Sequence, residues 1–336
     1  MKLVLITDAW QPQVNGVVRT YENIISELEK EGHTIKVISP NDFTTLPMPF
    51  YPEIRLALFP YKKMVKIISN FEPDRIVIPV EGPLGWAARR YCLKHKKPFA
   101  TAFHTHFPEY AAKRMPSFLG PLIQSIGIYL VKIFHTPSKT VFVATQSLEN
   151  QLKEWGFQNQ FVRLVRGVDT SIFYPSKKKK STKNRTLLYV GRVSVEKNIE
   201  AFLDIDIDAH KIVVGTGPDL ERLQKQYPKV EFAGLRQGQE LGDYYRRADC
   251  FVFPSKTDTF GIVLIEAMAC GLPVAAYPVT GPIDLITEDF MGVLDDDLKE
   301  AVIKALKLPC EAQKRHDYAK DKYSWAKVAR VFASSC

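Results

Sequence analysis

Two kinds of apolar pattern alternate along the chain. Short runs rich in β-branched residues, at 3–7, 34–39, 75–80, 99–103, 140–145 and 161–165, show no polar alternation. Strands covered on both faces read this way. Amphipathic stretches separate them: 16–30 closes at Gly32, and 84–96 closes before Pro98. Strands spaced by helices predict βαβ units and a parallel sheet. Residues 167–184, with Gly167, Pro175, four consecutive lysines from Lys177 to Lys180, Ser181 and Thr182, carry no period and read as a linker. Strand signals then resume at 186–190, 211–214, 230–232, 250–253 and 273–276, and two helical stretches, 311–322 and 325–333, end the chain.

The expected architecture is therefore α/β, with two doubly wound parallel-sheet domains. They are placed at 1–166 and 185–312, joined by 167–184, with 313–336 as C-terminal helices packing back on the first domain. Open sheets of this kind bind ligands beyond the carboxyl ends of their strands, so each domain is expected to supply one wall of a cleft.

Composition narrows the class. The 336 residues, 46% hydrophobic and 25% charged, suffice for two buried cores. No stretch approaches the roughly 20 apolar residues that cross a bilayer, and the N-terminus lacks a basic region followed by a long apolar one. The 5 cysteines are scattered without a C-x-x-C pair, which suits a reduced cytoplasm and neither a disulfide framework nor a zinc site. Residues 1–166 hold 21 Lys+Arg against 13 Asp+Glu, whereas the remainder holds 25 against 24. The basic excess is thus a property of the first domain, fitting an anionic surface, nucleic acid, or solubility alone.

Four segments carry candidate chemistry. Gly191-Arg192-Val193-Ser194-Val195-Glu196-Lys197-Asn198 follows a strand. Arg192 supplies a guanidinium fork and Lys197 a point charge, a pairing that suits a diphosphate; surface cations are the alternative. The segment from Pro254 to Gly271 runs from a strand into a helix, with Asp258 at the turn. Phe260, Gly261 and Ile262 would offer helix-N-terminal amides to an anion. Glu266 lies in an apolar helix and needs partners, either ribose hydroxyls or an internal Arg or Lys. Asp258 could equally be a helix cap.

Thr7-Asp8-Ala9-Trp10-Gln11-Pro12-Gln13-Val14-Asn15-Gly16 is a strand–loop–helix with one glycine at its turn, a phosphate-proximal candidate. The chain has neither a G-x-G-x-x-G nor a G-K-[ST] at this point, against dehydrogenase and P-loop readings. Phe103-His104-Thr105-His106 ends another strand. Nothing completes a metal site around its histidines, so His104 is read as a donor to a sugar hydroxyl and His106 as a loop residue.

Together the segments T-D-A-W-Q-P-Q-V-N-G-V-V-R-T, F-H-T-H-F-P-E-Y, G-R-V-S-V-E-K-N and T-D-T-F-G-I-V-L-I-E-A-M-A-C-G, in this order, resemble the retaining glycosyltransferases of family 4. The resemblance spans nearly the whole chain and implies the GT-B fold of two Rossmann-like domains. It implies that Arg192 and Lys197 bind the donor diphosphate, that Glu266 holds the ribose, and that Phe260, Gly261 and Ile262 contact phosphate and sugar. It also implies that Gly16 approaches the phosphates and His104 orients the donor sugar. Where the family has an E-x7-E pair, this chain has Asp258 and Glu266, and the usual double glycine of the first loop is Asn15-Gly16.

The subset it resembles includes GDP-mannose-dependent mannosyltransferases and glycolipid synthases. A metal-independent, cofactor-free transfer of a hexose follows, with mannose from GDP-mannose favoured and a UDP-hexose as the alternative. The acceptor is expected to be a lipid or glycan, with Asp8, Trp10, Glu81 and Gly82 as its contacts and Gly215 and Gly217 near the nucleoside. The enzyme is expected in the cytoplasm, peripheral on the inner face of the membrane. Phe107, Tyr110, Lys113, Arg114, Met115, Phe118, Leu119, Leu122, Ile126 and Tyr129 read as a surface for an anionic membrane or as an ordinary core helix. A sugar-nucleotide epimerase is the rival in another class. No nucleic acid is expected, since the basic residues are dispersed and no stacking motif or recognition helix accompanies them.

Overall fold

The computed structural model describes residues 1–13, 15–48, 51–104, 120–176, 184–256, 258 and 260–336. The chain divides into two compact units, Met1–Val165 with Trp325–Cys336, and Arg166–Ser324.

The first unit is built on β1 (Lys2–Ile6), β2 (Thr34–Ile38), β5 (Arg75–Ile78), β6 (Ala100–Phe103), β7 (Thr140–Val143) and β8 (Gln160–Arg163). They form one parallel sheet in the order β2-β1-β5-β6-β7-β8. Each lies within a residue or two of an expected strand, because an uninterrupted apolar run can be buried only inside a covered sheet. Helices α1 (Gly16–Lys30), α2 (Tyr61–Phe71), α3 (Pro83–Lys94), α4 (Gly120–His135) and α5 (Gln146–Glu154) accompany it. One core joins α2 and α3 through Met64, Ile68, Leu84 and Ala88 to Val4, Ile6 and Ile76. Another sets Leu3 and Leu5 against Tyr21, Ile24 and Leu28 of α1. An antiparallel hairpin of β3 (Thr45–Met48) and β4 (Tyr51–Ala57) has no counterpart among the expected strands. Pro47, Pro49 and Pro52 interrupt its alternation, and proline argues against strand.

The second unit repeats the plan with β9 (Arg185–Val190), β10 (Ala209–Val214), β11 (Glu231–Gly234), β12 (Cys250–Phe253), β13 (Val274–Ala276) and β14 (Gly292–Leu294), ordered β11-β10-β9-β12-β13-β14. Only β14, three residues long, lacks a strand signal in the sequence. Between and after these strands lie α6 (Ile199–Leu203), α7 (Leu220–Gln226), α8 (Gly238–Arg247), α9 (Ile262–Ala269), α10 (Pro282–Leu285), α11 (Leu298–Ala305) and α12 (Ala312–Lys322). In each sheet the winding reverses beside its first strand, between β1 and β5 and between β9 and β12. Loops leaving those strands diverge there and open a ligand crevice.

Two expected boundaries shift. Residues 168–173, read as linker, pack within the second unit. Val168 donates its amide to Tyr323 O at 2.8 Å, and the buried Phe173 meets the Tyr245 ring edge-on at 5.6 Å. Sequence pattern misses this because two apolar anchors in an irregular segment make no period. Lys177–Lys180 and Lys183 lie outside the described residues. Of the closing helices, α12 stays in the second unit, where His316 Nδ1 lies 2.6 Å from Ala269 O and Arg315 donates to Phe290 O at 2.6 Å. Only α13 (Trp325–Ser335) joins the first, burying Val328, Ala329 and Phe332 in the core with Tyr21.

Candidate functional site

In the second unit the switch-point loops converge. The loop after β9 opens at Gly191, whose amide bonds Val214 O at 3.0 Å, and the Tyr189 hydroxyl donates to Arg192 O at 2.7 Å. Burial, with the charges of Asp258 and Glu196 adding to it, pushes the Tyr189 phenol well above its ordinary pKa, so it stays a neutral donor. A 3-10 turn, Val195–Lys197, follows, and Asn198 in left-handed conformation (φ 52°) donates its amide side chain to Pro254 O at 3.0 Å. That bond ties the β9 loop to the β12 loop. It brings Lys197 Nζ to 2.5 Å from Asp258 Oδ1 across 61 residues.

Asp258 is therefore not a plain helix cap; it is an ion-pair partner. Its Oδ2 is buried without a hydrogen-bond partner, as are Ser194 Oγ and Ser255 Oγ on the same two loops. Buried polar atoms left unpaired are costly, and three on adjoining loops mark a place fitted for polar groups brought by a ligand. The Arg192 guanidinium is exposed beside these loops, 4.0 Å from Glu196.

Helix α9 starts one residue after Gly261, which has φ 85° and provides no side-chain cap. The left-handed backbone demands glycine, and the absent cap leaves the first amides for an anion. Phe260 is buried, 6.3 Å edge-on from Tyr323 and 5.8 Å below the Arg166 guanidinium. It thus anchors the turn through its ring, while Ile262 begins the helix. Glu266, one turn on, is 1% exposed, and its Oε2 accepts from the Tyr245 hydroxyl at 2.9 Å. Sequence reasoning misses Tyr245 because nothing in the polar helix α8 sets it apart.

Gly215 and Gly217 are required for loop packing. A Cβ at Gly215 (φ 145°) would lie 1.8 Å from Gly191 O, and one at Gly217 would lie 2.2 Å from Val193 O. Their missing side chains let the β10 loop pack on the β9 loop, where Val193 N donates to Thr216 O at 3.0 Å.

In the first unit the expected residues divide. His104 Nε2 lies 2.8 Å from the Tyr21 hydroxyl, which fixes the ring at the end of β6. Gly16 is the first residue of α1, and the Asn15 side chain accepts from Val17 N and Val18 N at 3.0 Å each. An asparagine thus holds amides that a phosphate would otherwise use. Asp8 is buried and accepts from Leu84 N at 3.0 Å and Gly85 N at 3.1 Å, so it caps α3 instead of lying open to an acceptor. Burial outweighs those two bonds and, with Glu81 nearby, raises its pKa to about 6. Gly82 makes room for it: a Cβ there would sit 2.3 Å from Asp8 Cγ. Trp10 packs partly buried against the core that contains Tyr21.

Glu81 remains half-exposed at the same switch point, and its Oε1 lies 3.0 Å from Nε2 of the fully buried His135. His135 Nδ1 in turn lies 2.8 Å from Thr101 Oγ1, which bonds Ser138 Oγ at 3.0 Å. A buried network of this kind holds a carboxylate in one orientation. A histidine ending an apolar helix is its signal in the sequence. Leu122, Ile126 and Tyr129 are exposed on α4, whose other face buries Val131, Phe134 and His135. His106, Phe107, Tyr110, Lys113, Arg114, Met115, Phe118 and Leu119 lie outside the described residues. Among the described residues no helix is long and apolar enough to cross a membrane, and no His/Cys/Asp/Glu group could hold a metal ion.

Comparisons with known proteins bear on the family and the fold. A model described as Glycosyltransferase Family 4 matches residues 14–172, and one described as glycosyl transferases group 1 matches residues 171–325. The chain is 26% identical to a GDP-mannose-dependent alpha-mannosyltransferase of Corynebacterium glutamicum, over 90% of this chain and 79% of the relative. It is 28% identical to an alpha-monoglucosyldiacylglycerol synthase of Streptococcus pneumoniae, over 91% and 78%. Its fold is similar to that of sucrose-phosphate synthase from Thermosynechococcus elongatus, with a TM-score of 0.77 at 19% identity over 99% of this chain and 97% of that one.

Proposed function

We propose, from the premise that this chain belongs to the family 4 glycosyltransferases and has the GT-B fold, that it transfers mannose from GDP-mannose to a lipid acceptor with retention of configuration and without a divalent metal. One observation carries the reading. Lys197 is held at 2.5 Å by Asp258, whose second oxygen is buried and unpartnered. A sugar hydroxyl would satisfy that oxygen, while Lys197 and Arg192 would meet the diphosphate.

In the proposed step the bond from sugar C1 to the diphosphate oxygen breaks, and its electron pair leaves on the diphosphate. The acceptor oxygen bonds C1 on the same face and passes its proton to the departing diphosphate. Fixed cations and helix-N-terminal amides aimed at that growing charge lower the barrier. Glu266, oriented by Tyr245, is assigned to the ribose, His104 to the donor sugar, and Glu81, held by His135, to an acceptor hydroxyl. The relatives' names support the donor and acceptor: one is GDP-mannose-dependent, and the other is named for a glucosylated diacylglycerol. A cytoplasmic enzyme, peripheral on the membrane that holds its acceptor, is the matching location.

Calorimetry with GDP-mannose and UDP-glucose, followed by nucleoside diphosphate release with diacylglycerol or phosphatidylinositol in EDTA, tests this. GDP-mannose binding and EDTA-insensitive turnover are expected. Binding of UDP-glucose alone would transfer the assignment to the UDP-hexose reading, and loss of turnover in EDTA would remove metal independence.

A further inference from the structure

The chain enters the second unit at Arg166, and the residues from there to Tyr174 are tied down more firmly than a connection requires. Asp169 folds them into a compact turn. Its carbonyl accepts from Ile172 N at 3.2 Å and Phe173 N at 2.9 Å, and its Oδ1 accepts from Ser171 N at 2.9 Å and Ser171 Oγ at 2.6 Å. Helix α8 receives this turn on one face, through Gln239, Gly242, Tyr245 and Arg246 on successive helical turns. Gln239 Nε2 donates to Ser171 O at 3.2 Å, and Arg246 donates to Ile172 O at 2.8 Å while lying 4.2 Å over the Tyr174 ring. A Cβ at Gly242 would sit 2.6 Å from Ile172 O, so the helix carries no side chain where that backbone crosses it.

Both ends of this strap reach groups assigned to the donor. The buried Phe173 meets the Tyr245 ring edge-on at 5.6 Å, and Phe251 of β12 meets the same ring at 5.7 Å. Rings packed around it leave Tyr245 one place for its hydroxyl, 2.9 Å from Glu266 Oε2. At the other end Arg166, only 5% exposed, holds its guanidinium 5.8 Å from the centre of the Phe260 ring. Arginine is seldom buried so far, and here its burial sets it against the turn that opens α9. Val168 bonds Tyr323 O at 2.8 Å, and the Tyr323 ring meets Phe260 at 6.3 Å.

We propose that Arg166–Tyr174 is a positioning strap for the bound nucleotide. Phe173 sets Tyr245, and through it the Glu266 carboxylate for the ribose. Arg166 sets Phe260, and through it the amides of Gly261 and Ile262 for the diphosphate. A carboxylate oriented before the hydroxyls arrive binds them more tightly, because ordering it at that moment costs affinity. The proposal rests on the assignment of Glu266 and the start of α9 to the donor, and it names the residues that hold them in place.

Calorimetry on the full chain measures affinity for GDP and 2′,3′-dideoxy-GDP, with the uridine pair in parallel. Wild type should prefer the ribose form at least about tenfold, as hydrogen bonds to a charged group allow. Phe173→Leu and Gly242→Ala should each reduce that preference to about threefold or less. Arg166→Lys should weaken both nucleotides alike, about fivefold, and keep the preference. Leu223→Val, in a core cluster that contains no strap residue, should lower the thermal midpoint and leave both affinities unchanged, which separates positioning from lost stability. A preference kept in Phe173→Leu, or affinity unchanged in Arg166→Lys, overturns the proposal. So does a Leu223→Val protein that loses the preference as Phe173→Leu does. Wild-type binding without a ribose preference overturns the strap and leaves the diphosphate reading standing, whereas a wild type that binds neither nucleotide sinks the proposed function and the strap together.

Discussion

Lys197 Nζ meets Asp258 Oδ1 at 2.5 Å, joining the loops that follow β9 and β12. Asn198 reinforces the same junction from the next position through Pro254 O. A cation held this way is aimed before any substrate arrives, the arrangement that makes an electrostatic contribution large. Replacing Lys197 with Ala is expected to lower turnover by about a hundredfold or more, measured as nucleoside diphosphate release under saturating donor. Near-normal rates would detach this pair from the chemistry.

Tyr245 reaches Glu266 from α8, and its effect should appear in binding. Tyr245→Phe removes one donor from a buried carboxylate and should cost roughly 1–3 kcal/mol of stability. Nucleoside diphosphate affinity is expected to fall about fivefold to tenfold, an energy of about 1 kcal/mol, because Glu266 loses its orientation. Calorimetry beside thermal unfolding separates the two effects. A stability loss with unchanged affinity would leave Tyr245 a core residue only.

Asp8 gives a pH dependence whose sign is fixed by burial. Its pKa is raised from 3.8 to about 6 in the folded chain, so the native state holds a proton that the unfolded chain has released. The corresponding stability is present below the unfolded value and is lost as pH rises through about 6, amounting to roughly 3 kcal/mol. Urea unfolding between pH 4 and 6.5 should show wild-type stability falling relative to Asp8→Asn as pH rises. A constant difference across that range would contradict the assignment.

Gly215→Ala would force a Cβ to within 1.8 Å of Gly191 O at φ 145°. Backbone on both sides cannot yield cheaply, so a loss of more than about 2 kcal/mol is expected, seen as a lowered midpoint in denaturant. Gly234→Ala, at φ 71° with open space around it, should cost less and serves as the control.

The loops of the proposed site were legible because they begin where strand signals stop. Arg192, Lys197, Asp258, Phe260, Gly261 and Glu266 all follow β9 or β12, and a strand run ending in glycine or proline locates a switch-point loop without coordinates. Tyr245 and His135 were not legible as site residues. Each acts on a carboxylate 21 or 54 positions away, and one sequence carries no mark of a pairing across elements. The partners of Asp8 were not legible for the same reason, since they are amides of α3 reached only through the fold.

By itself the sequence determined the two parallel sheets, their helices and the loops that bear charge, because burial on both faces and helical amphipathicity are written in neighbouring residues. Tertiary structure alone decided which side chains meet. It set Asp258 against Lys197, packed the loop of Gly215 and Gly217 on the β9 loop, and kept α12 with the second unit. Those outcomes depend on distances between segments far apart in the chain, and no local period encodes such distances.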